Sequence, residues 1–206
     1  MNYLAIDTSA EHLTVVARVG KKSETFYSEV CGAKHSEMII PAVESVLNKL
    51  DASPSDIDVF CSVVGPGSFT GIRIGVSTVK GFADALKKPV LGVTSFDTLA
   101  YNIQSGKVVA AIDARHGCYY ACPYLDNKAL TPAFVTEEGL KETAEGATIL
   151  TYPYTAFAVD GKTALAADPA KGLKKAVEDR LDEADENVDS LKPLYLRLSQ
   201  AEEGRK

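Results

Sequence analysis

The chain of 206 residues has the composition of a globular protein, with 46% hydrophobic and 24% charged residues and no apolar run of membrane length. Its net charge of −6 argues against a chain that binds nucleic acid alone, because such proteins usually neutralise phosphates with a basic face. The opening residues M-N-Y-L-A-I-D-T-S lack the basic and long apolar segments of a signal peptide, so we expect a cytoplasmic protein without membrane contact.

The first fifty residues predict three strands followed by a helix. Residues 3–7 (Y-L-A-I-D) form an apolar run that ends in aspartate, and the turn T-S-A-E-H leads to a returning strand at residues 13–19. Residues 25–30 add a third strand. Apolar residues at i, i+3, i+4 and i+7 then predict an amphipathic helix over residues 36–50, with Pro41 in its first turn or kinking its start.

The next segment predicts strands that alternate with helices. Residues 59–64 form a buried strand, an apolar stripe over residues 72–86 predicts a second helix, and residues 89–93 form another strand. Ser95 is expected to cap a third helix that runs to residue 103. This alternation of strands and helices is typical of an α/β lobe.

The second half of the chain begins as the first half does. Residues 107–113 (K-V-V-A-A-I-D) end in the same A-I-D tripeptide as residues 3–7, and after the turn A-R-H-G a strand returns at residues 118–125. Further on, Leu173, Val177 and Leu181 have the spacing of a helix.

These repeated elements predict a duplicated α/β protein with two lobes of mixed sheet, the second lobe being reduced. We place the first lobe at residues 1–105 and the second at residues 106–206, with the boundary near Gly106. A tail from about residue 193 is expected to pack back on the first lobe.

The cysteines and histidines do not have the spacing of a metal site. Cys118 and Cys122 share a predicted strand about 13 Å apart, which is too far for one zinc ion or a disulfide. His12, His35 and His116 are scattered, without an HxxxH or HExxH pattern. We therefore expect no metal and reduced, structural cysteines.

A glycine-rich segment, V-G-P-G-S-F-T-G-I-R-I-G at residues 64–75, joins a predicted strand to the second helix. A phosphate-binding P-loop would need lysine followed by Ser or Thr, whereas isoleucine and arginine follow the last glycine of this loop. We instead expect a tight turn at P-G and a helix cap from Ser68 or Thr70. Small residues along this helix would let another helix pack closely: Gly71, Gly75, Ser77, Thr78 and Gly81.

Five motifs together resemble the bacterial TsaB family, also called YeaZ: D-T-S, H-S-E-M-I-I-P, G-P-G-S-F-T-G-I-R-I-G, I-D-A-R and P-L-Y-L-R. The resemblance implies the duplicated, ribonuclease H-like fold of the actin-like, sugar kinase and heat-shock ATPase superfamily. It also implies a non-catalytic scaffold subunit that activates TsaD, the related catalytic subunit, and works with the ATPase TsaE. Together these proteins place threonylcarbamoyl on the adenosine next to the tRNA anticodon, so this chain would contact tRNA only indirectly.

The resemblance further implies that the first two long helices pair with equivalent helices of TsaD, and that the same surface forms a homodimer when TsaD is absent. The alternative is that these apolar residues belong to the ordinary core. Arg73, Arg115 and Arg197 would position tRNA or a partner, or form surface ion pairs. The residues expected in the partner interface are Ile39, Ile40, Val43, Leu47, Ile72, Gly75, Val76, Val79 and Phe82.

The resemblance also directs attention to nucleotide binding. Kinases of this superfamily hold ATP phosphates between two hairpin turns in which glycine closely follows aspartate. The turns here, D-T-S-A and D-A-R-H, lack that glycine, and T-Y-P-Y-T-A-F-A-V-D-G within residues 150–162 replaces a glycine-containing turn of family members. We expect no cofactor and no catalytic residue. A vestigial phosphate or magnesium contact would involve Asp7, Thr8, Ser9, Asp113 and Arg115.

Two alternatives concern the same aspartates. Asp7 and Asp113 are expected first to accept amide hydrogen bonds within their own turns. The other functional hypothesis is a small stand-alone ATP-dependent phosphotransferase that uses both carboxylates around ATP. A TsaD-type pair of histidines one helical turn apart is missing, since Ile39 occupies the position four residues after His35. A peptidase would need a nucleophile–base or metal arrangement that the sequence does not suggest.

Overall fold

The first of two mixed sheets occupies the N-terminal half of the computed structural model, which describes residues 1–31 and 34–196. Its strands are β1 (Tyr3–Asp7), β2 (Leu13–Val19), β3 (Lys22–Ser28), β4 (Val59–Val63) and β5 (Val90–Val93). They lie in the order β3-β2-β1-β4-β5, and the central strand β1 is antiparallel to β2 but parallel to β4.

The second sheet repeats this arrangement with shorter outer strands. In it β6 (Lys107–Asp113) is antiparallel to β7 (Cys118–Leu125) and parallel to β10 (Thr148–Thr151). Because β6 pairs with its neighbours as β1 does, the predicted α/β class with duplicated lobes and a reduced second lobe is confirmed. The outer strands are β8 (Lys128–Ala129), β9 (Ala133–Thr136) and β13 (Leu165–Ala166), and β11 (Ala158–Val159) pairs with β12 (Lys162–Thr163) in a separate ribbon.

Helices cover these sheets: α1 (His35–Lys49), α2 (Phe69–Leu86), α3 (Ser95–Ala100), α4 (Glu137–Thr143) and α5 (Pro169–Asp179). The helix α5 packs against β1, β2 and β5 of the first sheet, whereas α3 packs against β6, β7 and β10 of the second. One buried cluster therefore joins both sheets, with Tyr3, Phe96, Tyr124 and Leu173 among its members. Within the described part of the chain, no helix is both long and apolar enough to cross a membrane.

Two further cores complete the packing. One lies beneath α1 and α2 on the other face of the first sheet, and the second lies beneath α4. Leu191 and Leu194 extend the core beneath α1 and α2, and the Leu194 amide donates to the Val64 carbonyl at 2.7 Å. The predicted division into residues 1–105 and 106–206 stays a prediction. The helix α3 of the first half packs on the second sheet and α5 of the second half packs on the first, and these contacts do not by themselves define a boundary.

Several predicted boundaries differ from the structure. The edge strand β3 begins at Lys22 instead of residue 25, because the ladder with β2 continues to the pair Val19–Lys22 at the turn. The helix α1 begins at His35, so Pro41 lies inside the helix, beyond the first turn in which it was predicted. The late helix α5 ends at Asp179, and Leu181 lies in a separate 3₁₀ turn.

The cap of α3 also differs from the prediction. Thr94, not Ser95, caps the helix: its hydroxyl accepts from the Asp97 amide at 3.1 Å, and the Asp97 carboxylate accepts from the Thr94 amide at 2.7 Å. The Ser95 hydroxyl instead donates to the Ser9 hydroxyl at 3.0 Å. The helix itself stops at Ala100, short of the predicted residue 103.

We predict that Gly172→Ala lowers the free energy of unfolding by about 2–3 kcal/mol, because a Cβ at this position in α5 would overlap the Thr98 carbonyl of α3. Urea denaturation measures the change. Gly81→Ala is the matched control: it adds the same methyl group to α2, where nothing lies within 4 Å, and should raise stability by about 0.5–1 kcal/mol. Equal effects of the two substitutions would contradict the close packing of α3 on α5.

Candidate functional site

Each half of the chain closes its first hairpin with the same aspartate turn. The Ser9 amide donates to Asp7 Oδ1 at 2.8 Å, and the Arg115 amide donates to Asp113 Oδ1 at 2.7 Å. These are the hydrogen bonds within the turn that the sequence analysis expects first for both aspartates. The two sites differ in burial, because Asp7 is fully buried whereas Asp113 is exposed.

Glycines in α2 and in the loop before it contact the first of these turns. A Cβ on Gly67 would overlap the Ser9 carbonyl oxygen, and one on Gly71 would overlap the Thr8 carbonyl oxygen. A Cβ on Gly75 would lie 2.5 Å from Thr8 Oγ1. Glycine is therefore required at positions 67 and 71, because the backbone of the hairpin turn lies directly against the loop and the helix, whereas at Gly75 the Thr8 side chain fills the space.

Hydrogen bonds fix this contact between the turn and the helix. The Thr8 hydroxyl donates to the Gly71 carbonyl at 2.7 Å, and the Ser68 amide donates to the Ser9 carbonyl at 2.7 Å. Ser68 also caps α2 by accepting from the Gly71 amide at 3.2 Å. The expectation that Gly71 and Gly75 accommodate another helix is thus corrected, since the chain's own hairpin fills the space above both.

A buried chain of polar groups extends from Asp7 towards the second half of the protein. Asp7 Oδ2 lies 2.9 Å from His12 Nε2, and His12 Nδ1 lies 2.6 Å from the Tyr154 hydroxyl. Asp7 and His12 have no solvent-accessible surface. Burial by itself raises the pKa of Asp7, but His12 and the hydrogen bonds from Ser9 outweigh it and hold the pKa below its ordinary value of 3.8.

Aromatic rings fill the space beside this chain. The rings of Tyr152 and Tyr154 stack with their centroids 5.6 Å apart, and His12 lies 5.0 Å from the Tyr152 ring. Burial raises the pKa of both phenols above the ordinary value for tyrosine. Both tyrosines come from T-Y-P-Y-T, the segment in which this sequence departs from the family's glycine-containing turn. The space next to the Asp7 turn is therefore taken up by the protein's own side chains.

The remaining expected vestigial residues differ in their burial, and a phosphate or magnesium contact by them stays a prediction. Thr8 and Ser9 are buried in the turn against α2, whereas Arg115 is exposed and has a left-handed backbone with φ of 67°. Among the described residues, no group of three or more His, Cys, Asp or Glu side chains could hold a metal ion. The four cysteines are free thiols, and burial raises the pKa of Cys122 to about 12.

Most of the expected interface residues lie in the core of this chain. Gly75 is covered by Thr8, and Phe82 is half-buried, with its ring stacked 5.6 Å from that of Phe60. Ile40 is 43% exposed and points away from the core. Solvent thus reaches Ile40 and part of Phe82; the interface itself stays a prediction. The interface residues that are buried beneath α1 and α2 are Ile39, Val43, Leu47, Ile72, Val76 and Val79.

An exposed cluster of Phe69, Arg73 and Tyr195 combines two sequence motifs that lie far apart in the chain. The Arg73 guanidinium lies 3.8 Å from the centroid of the Phe69 ring, and its Nε donates to the Tyr195 hydroxyl at 3.0 Å. The rings of Phe69 and Tyr195 stack at 4.9 Å. The i, i+4 spacing of Phe69 and Arg73 was a usable signal. Tyr195 was noted only as part of the motif P-L-Y-L-R, and nothing in the sequence indicated its contact with Arg73. Arg197 lies outside the described residues.

Comparison with known proteins gives consistent results. Residues 21–137 match the family model described as "TsaD: tRNA N6-adenosine threonylcarbamoyltransferase". Among curated proteins, the chain is 37% identical over 128 residues to the "tRNA threonylcarbamoyladenosine biosynthesis protein TsaB" of Escherichia coli, covering 60% of this chain and 55% of that protein. It is 34% identical over 142 residues to the Bacillus subtilis protein of the same name, covering 68% of this chain and 62% of that protein.

A solved structure agrees over a longer stretch. The structure described as "YeaZ from Pseudomonas aeruginosa" is similar to this chain with a TM-score of 0.79 and 28% sequence identity. The similarity covers 95% of this chain and 99% of that one. The sequence alignments, in contrast, span only 55% and 62% of the two curated relatives' lengths.

We predict that Asp7→Asn lowers the free energy of unfolding by about 1–3 kcal/mol, because it replaces the buried carboxylate that bonds to His12 and to the Ser9 amide with a neutral amide. Since the pKa of Asp7 is depressed in the fold, its stabilisation is present above about pH 4 and is lost as the pH falls through the folded pKa. The variant should lack that acid-dependent loss. Urea denaturation between pH 2 and pH 7 measures both effects.

Asp113→Asn is the matched control, since it alters the same kind of turn at an exposed position and should change stability by about 0.5 kcal/mol or less. A pH dependence in Asp7→Asn identical to that of the unmodified protein would contradict an ionised Asp7.

Proposed function

The chain belongs to the TsaB (YeaZ) family, and from this membership we propose that it acts in tRNA threonylcarbamoyladenosine biosynthesis as a non-catalytic subunit. In this proposal it binds and activates a TsaD-like catalytic subunit and works with a TsaE-like ATPase in the cytoplasm. It contacts tRNA only through that complex and forms a homodimer when alone. The name of a more distant relative from Prosthecochloris aestuarii, tRNA N6-adenosine threonylcarbamoyltransferase, describes the activity that we assign to the partner.

The filled space beside Asp7 is the observation that carries the non-catalytic part of the proposal. Both carboxylate oxygens of Asp7 have partners within the chain, Ser9 and His12. The stacked rings of Tyr152 and Tyr154 pack beside His12, next to the Asp7 turn. In this proposal, binding ATP at the Asp7 turn would require the chain to displace the buried Tyr152 and half-buried Tyr154 rings and to break the hydrogen bond between Asp7 and His12.

The exposed side of α1 and α2 supports the scaffold part of the proposal. Ile40 is a large apolar side chain on the solvent side of α1. On α2, Ser77 and Gly81 are exposed and carry little bulk, and nothing lies within 4 Å of a Cβ placed on Gly81. A surface of this kind lets the backbone of a second helix approach closely, as pairing between helices requires.

We predict that Ile40→Glu weakens binding to the TsaD-like subunit of the same organism by at least about tenfold and lowers tRNA threonylcarbamoylation in a reconstituted system. The reason is that an exposed charge would be buried without a counter-charge in the complex. Val43→Glu would not be informative, because Val43 is 2% exposed and the charge would disrupt the core.

Leu125→Glu is the control, because Leu125 is 52% exposed at the end of β7, away from α1 and α2. It should leave both binding and modification unchanged. Equal loss in the two variants would argue against α1 as the interface. Full tRNA modification in the absence of this chain would argue against the proposed role as a whole.

The stand-alone phosphotransferase is tested separately by titrating the isolated chain with MgATP in a calorimeter. Because Asp7, His12 and Tyr154 already satisfy one another, we expect no heat of binding at millimolar nucleotide. Stoichiometric binding would contradict the filled site and favour the phosphotransferase. If the unmodified chain does not bind MgATP, the same titration of the double variant Tyr152→Gly/Tyr154→Gly shows whether the two rings exclude the nucleotide.

A further inference from the structure

We propose that Phe69, Arg73 and Tyr195 form the anchor of the partner interface, with Arg73 binding a carboxylate of the catalytic subunit. This inference rests on the proposed function and adds to it the point of strongest contact and the chemistry of the group that is bound. The three residues come from G-P-G-S-F-T-G-I-R-I-G and P-L-Y-L-R, and neither the fold nor the filled site explains the exposed aromatic side chains of these motifs.

The cluster holds the Arg73 side chain in one orientation before any partner binds. The guanidinium lies over the Phe69 ring at 3.8 Å, and the Tyr195 ring centroid lies 5.9 Å away. Its Nε donates to the Tyr195 hydroxyl at 3.0 Å. Fixing the plane of a guanidinium in this way lowers the entropy that is lost when it binds another group.

Within the described residues, the terminal nitrogens of Arg73 have no carboxylate partner. Apart from the bond to Tyr195, Arg73 has no hydrogen bond or ion pair with any side chain in the described part of the chain. Two other arginines do have carboxylate partners: Arg18 pairs with Glu178, and Arg180 pairs with Asp97 and Glu183. The terminal nitrogens of Arg73 can therefore form a bidentate pair with an incoming oxyanion.

The position of the cluster favours a protein carboxylate. Phe69 and Tyr195 are 37% and 42% exposed, and Arg73 lies on the same side of α2 as Ser77 and Gly81. The cluster thus continues the helix surface that we propose as the interface. Exposed aromatic residues beside arginine are the residue types that dominate binding energy in protein interfaces.

The charge of the chain argues against RNA as the bound group. A net charge of −6 repels a polyanion, and the nearby cation Lys80 is already paired with Asp189 at 3.4 Å. A single isolated guanidinium gives little affinity for a phosphate backbone, but it is sufficient to bind one carboxylate within a helix interface.

The test compares the affinity of the full chain and its variants for the TsaD-like subunit of the same organism by calorimetry. Arg73→Lys should raise Kd about tenfold, because an ammonium cannot form the bidentate pair or stack on the ring. Tyr195→Phe, which removes only the acceptor of Nε, should raise Kd about threefold. Arg18→Lys is the control on another surface and should bind as the unmodified chain does.

Because the cluster is exposed, each variant should unfold at the same midpoint temperature as the unmodified chain. Thermal unfolding therefore distinguishes a variant that has lost a contact with the partner from one that no longer folds. In addition, the effect of Arg73→Met, which removes the charge, should shrink as NaCl is raised, as expected for a charged contact. A purely structural role for Arg73 would not produce this salt dependence.

The outcomes distinguish this inference from the proposed function. If Ile40→Glu weakens binding but Arg73→Lys does not, the interface stands and the anchor is overturned. If the unmodified chain does not bind the TsaD-like subunit, both are overturned. If Arg73→Lys leaves partner affinity unchanged but lowers the affinity of the assembled complex for tRNA, the carboxylate assignment is overturned in favour of phosphate.

Discussion

The buried carboxylate of Asp7 determines how the rest of the first hairpin is arranged. A charge without solvent contact is stable only if its oxygens are paired, and the Ser9 amide and His12 provide those partners. Holding the turn in this position brings Thr8 and Ser9 onto the loop and helix that follow β4, which explains Gly67, Gly71 and Gly75. The glycine-rich motif is therefore a consequence of where the aspartate turn must lie.

The same constraint connects the two halves of the protein. His12 hydrogen-bonds to Asp7 through Nε2 and to the Tyr154 hydroxyl through Nδ1, and the rings of Tyr152 and Tyr154 stack beside it. Aromatic side chains of the second half therefore pack beside the Asp7 turn of the first half. This is the physical basis for proposing a scaffold whose outer helices, not its interior, carry the function.

The sequence predicted local elements well and long-range contacts poorly. Residues 3–7, 13–19, 107–113 and 118–125 were predicted as strands with the bounds that the structure has, because turn residues delimit each apolar run. The buried and exposed faces of α1 could not be distinguished from the sequence, since this helix carries apolar residues on its buried side and also at the exposed Ile40. The contacts of His12 with Tyr154 and of Arg73 with Tyr195 join residues more than a hundred positions apart, and no local pattern records them.

The most direct test of this account is size-exclusion chromatography with light scattering, on the chain alone and mixed with the TsaD-like subunit of the same organism, without nucleotide. The account predicts a homodimer for the chain alone and a new one-to-one species in the mixture, formed at the homodimer's expense. Separate elution of the two proteins, with and without MgATP, would contradict it.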